Sequence, residues 1–331
     1  MYVMSRFQNP VELISCPHLG VFSARGADTQ TFLQSQLTQD MQTVTPSNAA
    51  LAGFCTAQGR LWASMLLVGS EHGDVVGVAY ADLMESFLKR LRMFVLRSKV
   101  TVEPETQTKA YGLNLNETDL DAFAQCCQAM LSGTPLKPWQ VQHTEFGTLI
   151  AMPSAQAGLV RFQLLATDEQ VNALCQAIGE PCQKLDEAGR WQQQDIQAGI
   201  GWIESATQDL FIAQTLNLDL LDGVSFTKGC YPGQEVVARA HYRGTVKRRM
   251  HMAKIDSVDH DLVAGTDIFE ATEPDNPIGR LIAVVALAGQ TWVLFEAPFK
   301  ALNGQPLRAG SANGPQLEMQ PLPYSLEPAS A

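Results

Sequence analysis

Apolar positions along the chain switch between a helical period and a strand period, and the switches outline the architecture. Asp28 stands where it could cap a helix that carries Phe32, Leu33, Leu37, Met41 and Val44 on one side. Apolar runs at 61–68 and 75–80 follow, separated at 71–74 by a polar stretch containing Gly73, which predicts a β-hairpin. Leu83, Phe87, Leu88, Leu91 and Phe94 then return to helical spacing, and 100–102 reads as a strand ended by Pro104. The same order recurs later. Residues 159–165 read as a strand, and Thr167 with Gln170 forms a capping-box signature. The helix it starts carries Val171, Leu174 and Ile178 and stops at Gly179. Two strand-then-helix units of this kind predict a duplicated α+β half. Between them lies a short helix (Leu120, Phe123, Cys127, Met130) and a turn-rich exit at Gly133, Pro135 and Pro138, which predicts a joint near 113–140.

Past Tyr242 the helical period disappears. Short β-like runs at 250–255, 281–288 and 291–296, divided by Gly and Pro, predict a small sandwich or barrel. The expected division is therefore an α+β region at 1–241 and a β-rich domain at 242–331, with a Pro-rich tail from 318 along the surface.

The 331 residues are 46% apolar, which suits a chain with two or three cores and excludes wholesale disorder. No apolar stretch approaches the ~20 residues of a membrane helix, and residues 1–10 lack the apolar core of a secretory signal. The net charge of −11 argues against tight unspecific DNA binding. Seven scattered cysteines (16, 55, 126, 127, 175, 182 and 230) fit a reducing cytoplasm better than a disulfide framework. They form no zinc or iron–sulfur ligand pattern, so no metal is expected. Dinucleotide, P-loop, zinc-protease and nucleophile-elbow signatures are absent from the sequence.

One segment concentrates candidate chemistry: Lys228-Gly229-Cys230-Tyr231-Pro232-Gly233-Gln234-Glu235, continuing as Val236-Val237-Ala238-Arg239-Ala240-His241-Tyr242-Arg243-Gly244. Glycines flank the cysteine, Pro232 fixes a turn, and a helix is predicted to start near Gln234 and Glu235. A cysteine at a Gly-rich turn before a helix, beside Lys228, would have a lowered pKa and a reactive thiolate. The alternative is a small buried hydrophobe in a tight turn.

The pattern K-G-C-Y-x-G-Q-E resembles the signature of the YgfZ family of folate-binding, tRNA-modifying proteins, whose relatives help assemble iron–sulfur clusters. The match over 228–235 is complete. Gly26-Ala27-Asp28, Arg97-Ser98-Lys99-Val100, Ile196-Gln197-Ala198-Gly199 and the segment 321–327 also look like this family, so the resemblance spans essentially the whole chain. It implies an α+β fold of the aminomethyltransferase type. That fold is a cloverleaf of α+β domains around a central folate pocket, with a C-terminal β-barrel.

The resemblance also implies roles for particular residues. Trp191, before the I-x-A-G segment, is expected to contact folate; Gln197, Tyr231 and Arg239 are further candidate folate contacts. A second family tryptophan near the N-terminus is matched by Leu19, with Phe22 close by, and the carboxylate of the aminomethyltransferases is matched by Gln197. Their catalytic aspartate has no counterpart; Asp82 sits where a helix cap would. Cys230 is the candidate working residue, with Lys228 lowering its pKa, and Gly229, Gly233, Gln234 and Glu235 complete the motif.

The cations gather in two clusters. Lys89, Arg90, Arg92, Arg97 and Lys99 lie in a stretch without an acid, and Lys228, Arg239, Arg243, Lys247, Arg248 and Arg249 in a stretch whose one acid is Glu235. Either could receive the glutamate tail of folate or the phosphates of tRNA, and adjacency to the cysteine motif favours the second. Three functions follow as expectations. The leading one is a cytoplasmic, tetrahydrofolate-binding accessory protein, partnered by tRNA or by iron–sulfur enzymes that modify tRNA, and not by a membrane. The others are a tetrahydrofolate-dependent one-carbon (aminomethyl) transferase and a non-catalytic tRNA-binding module.

Overall fold

The computed structural model describes residues 7–129, 137–242, 246–258, 261–271, 273–302 and 305–326. The chain's first half holds strands β1 (Val11–Ser15) and β2 (Leu19–Arg25), helix α1 (Thr29–Gln36), and strands β3 (Ala50–Cys55), β4 (Leu61–Gly69) and β5 (Val75–Tyr80). Helix α2 (Met84–Arg92), strands β6 (Thr101–Pro104) and β7 (Lys109–Asn116), helix α3 (Leu120–Cys127) and strands β8 (Val141–Thr144), β9 (Gly147–Met152) and β10 (Leu159–Ala166) follow. Then come helix α4 (Asp168–Ile178), strand β11 (Cys182–Leu185), and helices α5 (Ala188–Gln197) and α6 (Gln234–Tyr242). Strands β12 (Arg248–Ile255), β13 (Asp267–Glu270), β14 (Gly279–Leu287), β15 (Gln290–Pro298), β16 (Leu307–Ala309) and β17 (Glu318–Gln320) follow, with short 3-10 turns between several of the elements.

Two compact units result. The first comprises Met1–Phe32, Met41–Ala50 and Leu66–Trp191; the second comprises Leu33–Asp40, Leu51–Met65 and Gln192–Ala331. Met130, Gly133 and Pro135, from the expected joint, lie outside the described residues.

In the first unit, one sheet has the order β11–β1–β7–β10–β9–β8, antiparallel except for the β1–β11 pair. Alternation sends Leu113, Leu115, Phe162 and Leu164 into a core with Leu120 and Phe123 of α3 and Val171, Leu174 and Ile178 of α4. Phe123 and Phe162 stack at 5.9 Å, a pairing that adds about 0.5–1.5 kcal/mol beyond area burial. The predicted capping box at α4 is present: Gln170 N donates to Thr167 Oγ1 at 3.3 Å, and Thr167 N donates to Gln170 Oε1 at 3.0 Å.

The opposite face of that sheet is polar and buried. Asn114 and Arg161 are register partners, as are Gly112 and Gln163, and the indole of Trp191 lies on Gly112. A Cβ at Gly112 would stand 2.2 Å from the ring, so glycine is what admits the tryptophan.

The predicted hairpin is formed, β4 turning into β5 with Gly69 opposite Val75. In the first unit β5 pairs with β2, and β2 with β6. Helix α2 packs its Phe87 edge-on against Phe22 of β2, 5.3 Å between centroids. The helix is shorter than the pattern predicts, ending at Arg92, so that Phe94 falls beyond it and is exposed.

Helix α1 also stops early, before Met41 and Val44. The carboxylate of Asp28 is used elsewhere, accepting from Lys99 N at 2.6 Å. Beyond Gln36, bonds within the second unit take the chain out of the helix. Thr38 N donates to Gly53 O, and Thr38 Oγ1 donates to Gly223 O while accepting from Gly53 N. Local periodicity gives way to these long-range bonds.

The C-terminal sheet of the second unit has the order β16–β13–β14–β15–β12–β17 around a core of Ile268, Leu281, Val293 and Phe295. It curls as a half-barrel, where the sequence reading expects a closed barrel. The edge strands β16 and β17 are only three residues each, too short to close a continuous ladder. The tail follows the expected surface course, with residues 318–326 exposed or half-buried, and is anchored there by one side chain. Tyr324 Oη donates to Gly199 O at 2.7 Å and accepts from Asn217 Nδ2 at 3.3 Å.

Candidate functional site

The cysteine motif occupies the turn that enters α6. Gly233 takes φ +79°, and a Cβ there would meet Thr56 O at 2.4 Å and Gly59 Cα at 2.6 Å. Only glycine lets the start of α6 lie against the β3–β4 turn at that distance. Gly229 is different: its φ is not in the left-handed region, and a Cβ would meet nothing within 4 Å. Gln234 is half-buried with its N–H on Tyr231 O, while Glu235 and Arg239 are exposed on α6.

Cys230 is exposed, in contrast to the buried-hydrophobe alternative, and is the one exposed cysteine among the described residues. Burial pushes the thiols of Cys55 and Cys182 up to about 12, with Cys175 beside Cys182 adding to the effect. Those thiols are held protonated at neutral pH, and Cys230 is the most accessible thiol among the described residues.

Lys228 has a structural placement. Its Nζ donates to Gln34 O, Leu37 O and Gln39 O at 2.5, 2.6 and 3.0 Å, all around the end of α1. These three bonds use all three ammonium hydrogens, and none is left to pair with a thiolate. Burial lowers the lysine pKa to about 8. The ammonium also lies 5.2 Å from the ring centroid of Tyr231, a buried side chain.

In this unit Gln197 is half-buried at the end of α5, and Asp195, on the same helix, is buried and accepts from Trp202 Nε1 at 3.0 Å. Asp195 is a carboxylate that the sequence reading passes over because it treats Gln197 as the family position. The available signal is one acid in a helix otherwise rich in glutamine.

The first unit holds Trp191, which is fully buried, with the Arg161 guanidinium 4.2 Å from its ring centroid. Around it Arg190 Nη2 donates to Glu12 Oε1 at 2.5 Å, Asn114 Nδ2 to Glu12 Oε2 at 3.1 Å and Gln163 Nε2 to Tyr111 O at 2.9 Å. Trp191 Nε1 and Gln163 Oε1 are buried and have no hydrogen-bond partner among the described residues.

Comparison with known proteins decides the family. The chain is 32% identical over 326 residues to the tRNA-modifying protein YgfZ of Pectobacterium carotovorum subsp. carotovorum, covering 95% of this chain and 92% of the relative. The chain belongs to the YgfZ family. The YgfZ protein of Sodalis glossinidius is 30% identical, covering 96% of this chain and 94% of its own length. No family model matches the chain. Among solved structures, the glycine cleavage system aminomethyltransferase T of Bartonella henselae matches with a TM-score of 0.69 at 15% identity, covering 96% of this chain and 87% of that one. The likeness shows an aminomethyltransferase-like fold with mixed helix and strand.

The cation clusters of this YgfZ-family chain behave differently from each other. In the second, Lys228 is committed to carbonyls, and Arg249 is buried in a two-bond pair with Asp219 while also donating to Gln214 O. Arg248 is paired with Glu296 and donates to Ile278 O. Arg239 and Lys247 remain exposed, and Arg243 and Gly244 lie outside the described residues. Half of the expected positive face therefore holds the fold together. In the first cluster Lys89, Arg92, Arg97 and Lys99 are exposed. Among the described residues no group of three or more His, Cys, Asp or Glu could hold a metal ion, and no helix is long and apolar enough to cross a membrane.

Proposed function

We propose that this chain is a folate-binding accessory protein of tRNA modification, supporting iron–sulfur enzymes that act on tRNA, with Cys230 as its working thiol. The observation that carries the reading is family membership over 95% of the chain together with a complete cysteine motif whose thiol is exposed. The aminomethyltransferase-like fold supports the folate part.

The residues present fit a pterin. Such a ring carries both N–H donors and nitrogen or oxygen acceptors. The orphaned donor Trp191 Nε1 and acceptor Gln163 Oε1 share one sheet face and supply both complements. Both side chains are fully buried, so they would hold the ring by these edges once the residues covering them give way, and the Arg161 guanidinium keeps the indole in place. Bound reduced folate supplies a one-carbon carrier. Cys230 offers a nucleophile or a transient thiol ligand, held at a turn fixed by Gly233 and by the Lys228 clip. Gln197 replaces the carboxylate of the aminomethyltransferases, which counts against glycine cleavage as the reaction.

Calorimetric titration with tetrahydrofolate tests the reading, run on wild type, Trp191→Phe, Gln163→Leu, Gln197→Ala, Arg239→Ala and Cys230→Ala. Saturable binding is expected, lost or weakened about tenfold in Trp191→Phe and Gln163→Leu, each of which removes one complementary group. Cys230→Ala should bind folate normally and fail to support the cluster enzymes in cells. Absence of binding by the wild type would refute the folate part, and full function of Cys230→Ala in cells would refute the thiol part.

A further inference from the structure

The end of α2 presents a surface that the folate reading leaves unused. The helix buries Met84, Phe87, Leu88 and Leu91, then stops at Arg92. The next residues project apolar side chains into solvent: Met93 is 69% exposed, Phe94 40% and Leu96 88%. Leu96 adopts φ 44°, a left-handed conformation that a bulky side chain seldom takes.

The turn is pinned on both sides. Met93, Phe94 and Val95 donate backbone bonds to Arg90, Leu91 and Arg92, and Ser98 N donates to Val95 O at 2.7 Å. Lys99 N donates to Asp28 Oδ2 at 2.6 Å, Asp28 N donates to Lys99 O at 3.2 Å, and Arg92 Nε donates to Val102 O at 2.6 Å. An apolar projection held in a costly backbone conformation by this many bonds is preorganised for contact.

Its surroundings say what kind of contact. Lys89, Arg97 and Lys99 are exposed, and no acid occurs between Glu85 and Glu103 on a chain of net charge −11. The charge calls for an anionic partner. Exposed cations interleaved with an aromatic and two large apolar side chains match a strand with phosphates outside and unstacked bases within reach. A bilayer is the poorer match, because the apolar face of α2 is already buried in the protein and only one turn projects.

We propose that the turn after α2 binds an unpaired stretch of tRNA, with Lys89, Arg97 and Lys99 on phosphates and Phe94, Met93 and Leu96 against bases. This rests on the reading that the chain works in tRNA modification, and it adds direct RNA contact and its location. Three phosphate contacts to a single strand predict a slope of about −2 for log affinity against log salt, so binding should weaken about 20-fold between 50 and 200 mM.

Fluorescence anisotropy with transcribed tRNA, a fully paired RNA duplex and vesicles rich in anionic lipid tests the proposal. The variants are Lys89→Glu/Arg97→Glu/Lys99→Glu, Phe94→Ala and Leu96→Ser, each checked for folding by circular dichroism. The charge reversal should abolish tRNA binding. Phe94→Ala should weaken it about tenfold with the salt slope unchanged, and the duplex should be insensitive to Phe94→Ala. Absence of tRNA binding at 50 mM salt, equal binding by all variants, or vesicle binding in place of tRNA binding would overturn it. A cellular arm separates the two readings: tRNA thiolation is measured in cells lacking the endogenous family member and supplied with each variant. If wild type fails to restore it, the accessory function falls. If wild type and the patch variants restore it equally, that function stands and the RNA surface falls.

Discussion

Replacing Lys228 with methionine separates a structural lysine from a chemical one. The substitution keeps an unbranched stem and deletes the donors to Gln34 O, Leu37 O and Gln39 O. Hydrogen bonds from a charged donor contribute about 1.5–3 kcal/mol each. Against them stands the cost of burying the ammonium. That cost shows in the fall of its pKa from 10.5 to about 8, driven by burial. The three bonds together outweigh it, and their removal leaves carbonyls around the end of α1 without a cation. A net loss of about 3 kcal/mol is expected, which at a urea m-value of about 3 kcal/mol/M moves the unfolding midpoint by about 1 M. Urea titration followed by tryptophan fluorescence reads this directly. The rate of Cys230 with a disulfide reagent at fixed pH should be unchanged, because the ammonium is held on Gln34 O, Leu37 O and Gln39 O. An unchanged urea midpoint with a slowed thiol reaction would refute the clip and return Lys228 to the role expected from sequence.

Other outcomes follow from single contacts. Gly233→Ala should lower the melting temperature by several degrees, because its Cβ would strike Thr56 O and Gly59 Cα, while Gly229→Ala should leave it within a degree. His251 is buried, and desolvation lowers its pKa from 6.5 to about 4. The unfolded chain therefore binds the proton more tightly, and stability falls as pH drops from about 6.5 toward 4. Between pH 7 and 4.5 the loss from this group is about 2.5 kcal/mol, and urea midpoints of His251→Leu should lack that component. Arg249→Met should cost about 3–5 kcal/mol by leaving Asp219 buried without its partner, with much of the loss recovered in Arg249→Met/Asp219→Leu. Unfolding curves of the single and double variants check this.

The parts of the fold legible in the sequence are those that local patterns control. The β4–β5 hairpin, the Thr167–Gln170 capping box with its helix, and the C-terminal strands all follow from short-range periodicity and turn chemistry. The errors lie where distant residues intervene. Met41 and Val44 fit the period of α1, but Thr38 is claimed by Gly53 and Gly223. Lys228 is next to Cys230 but one in sequence, yet its ammonium is held by carbonyls some 190 positions earlier. The motif is readable because a family signature marks it, whereas the sequence leaves the exposure of its thiol open between two alternatives. The polar sheet face under Trp191 is not readable, because Glu12, Asn114, Arg161 and Gln163 come from three separate strands and share no local pattern.

The interleaved order of the two units bears on how the protein is made. Segments Leu33–Asp40 and Leu51–Met65 belong to the unit completed by Gln192–Ala331. During synthesis they emerge early and wait through the whole stretch Leu66–Trp191, about 6–25 s at ordinary translation rates. Until then the carbonyls of Gln34, Leu37 and Gln39 have no lysine, and Phe54 and Leu61 have no finished core. No single cut in the chain frees either unit intact. Early termination before the cysteine motif therefore leaves apolar strands stranded on the nascent chain, and chaperone capture should concentrate on 33–40 and 51–65 until Lys228 leaves the ribosome.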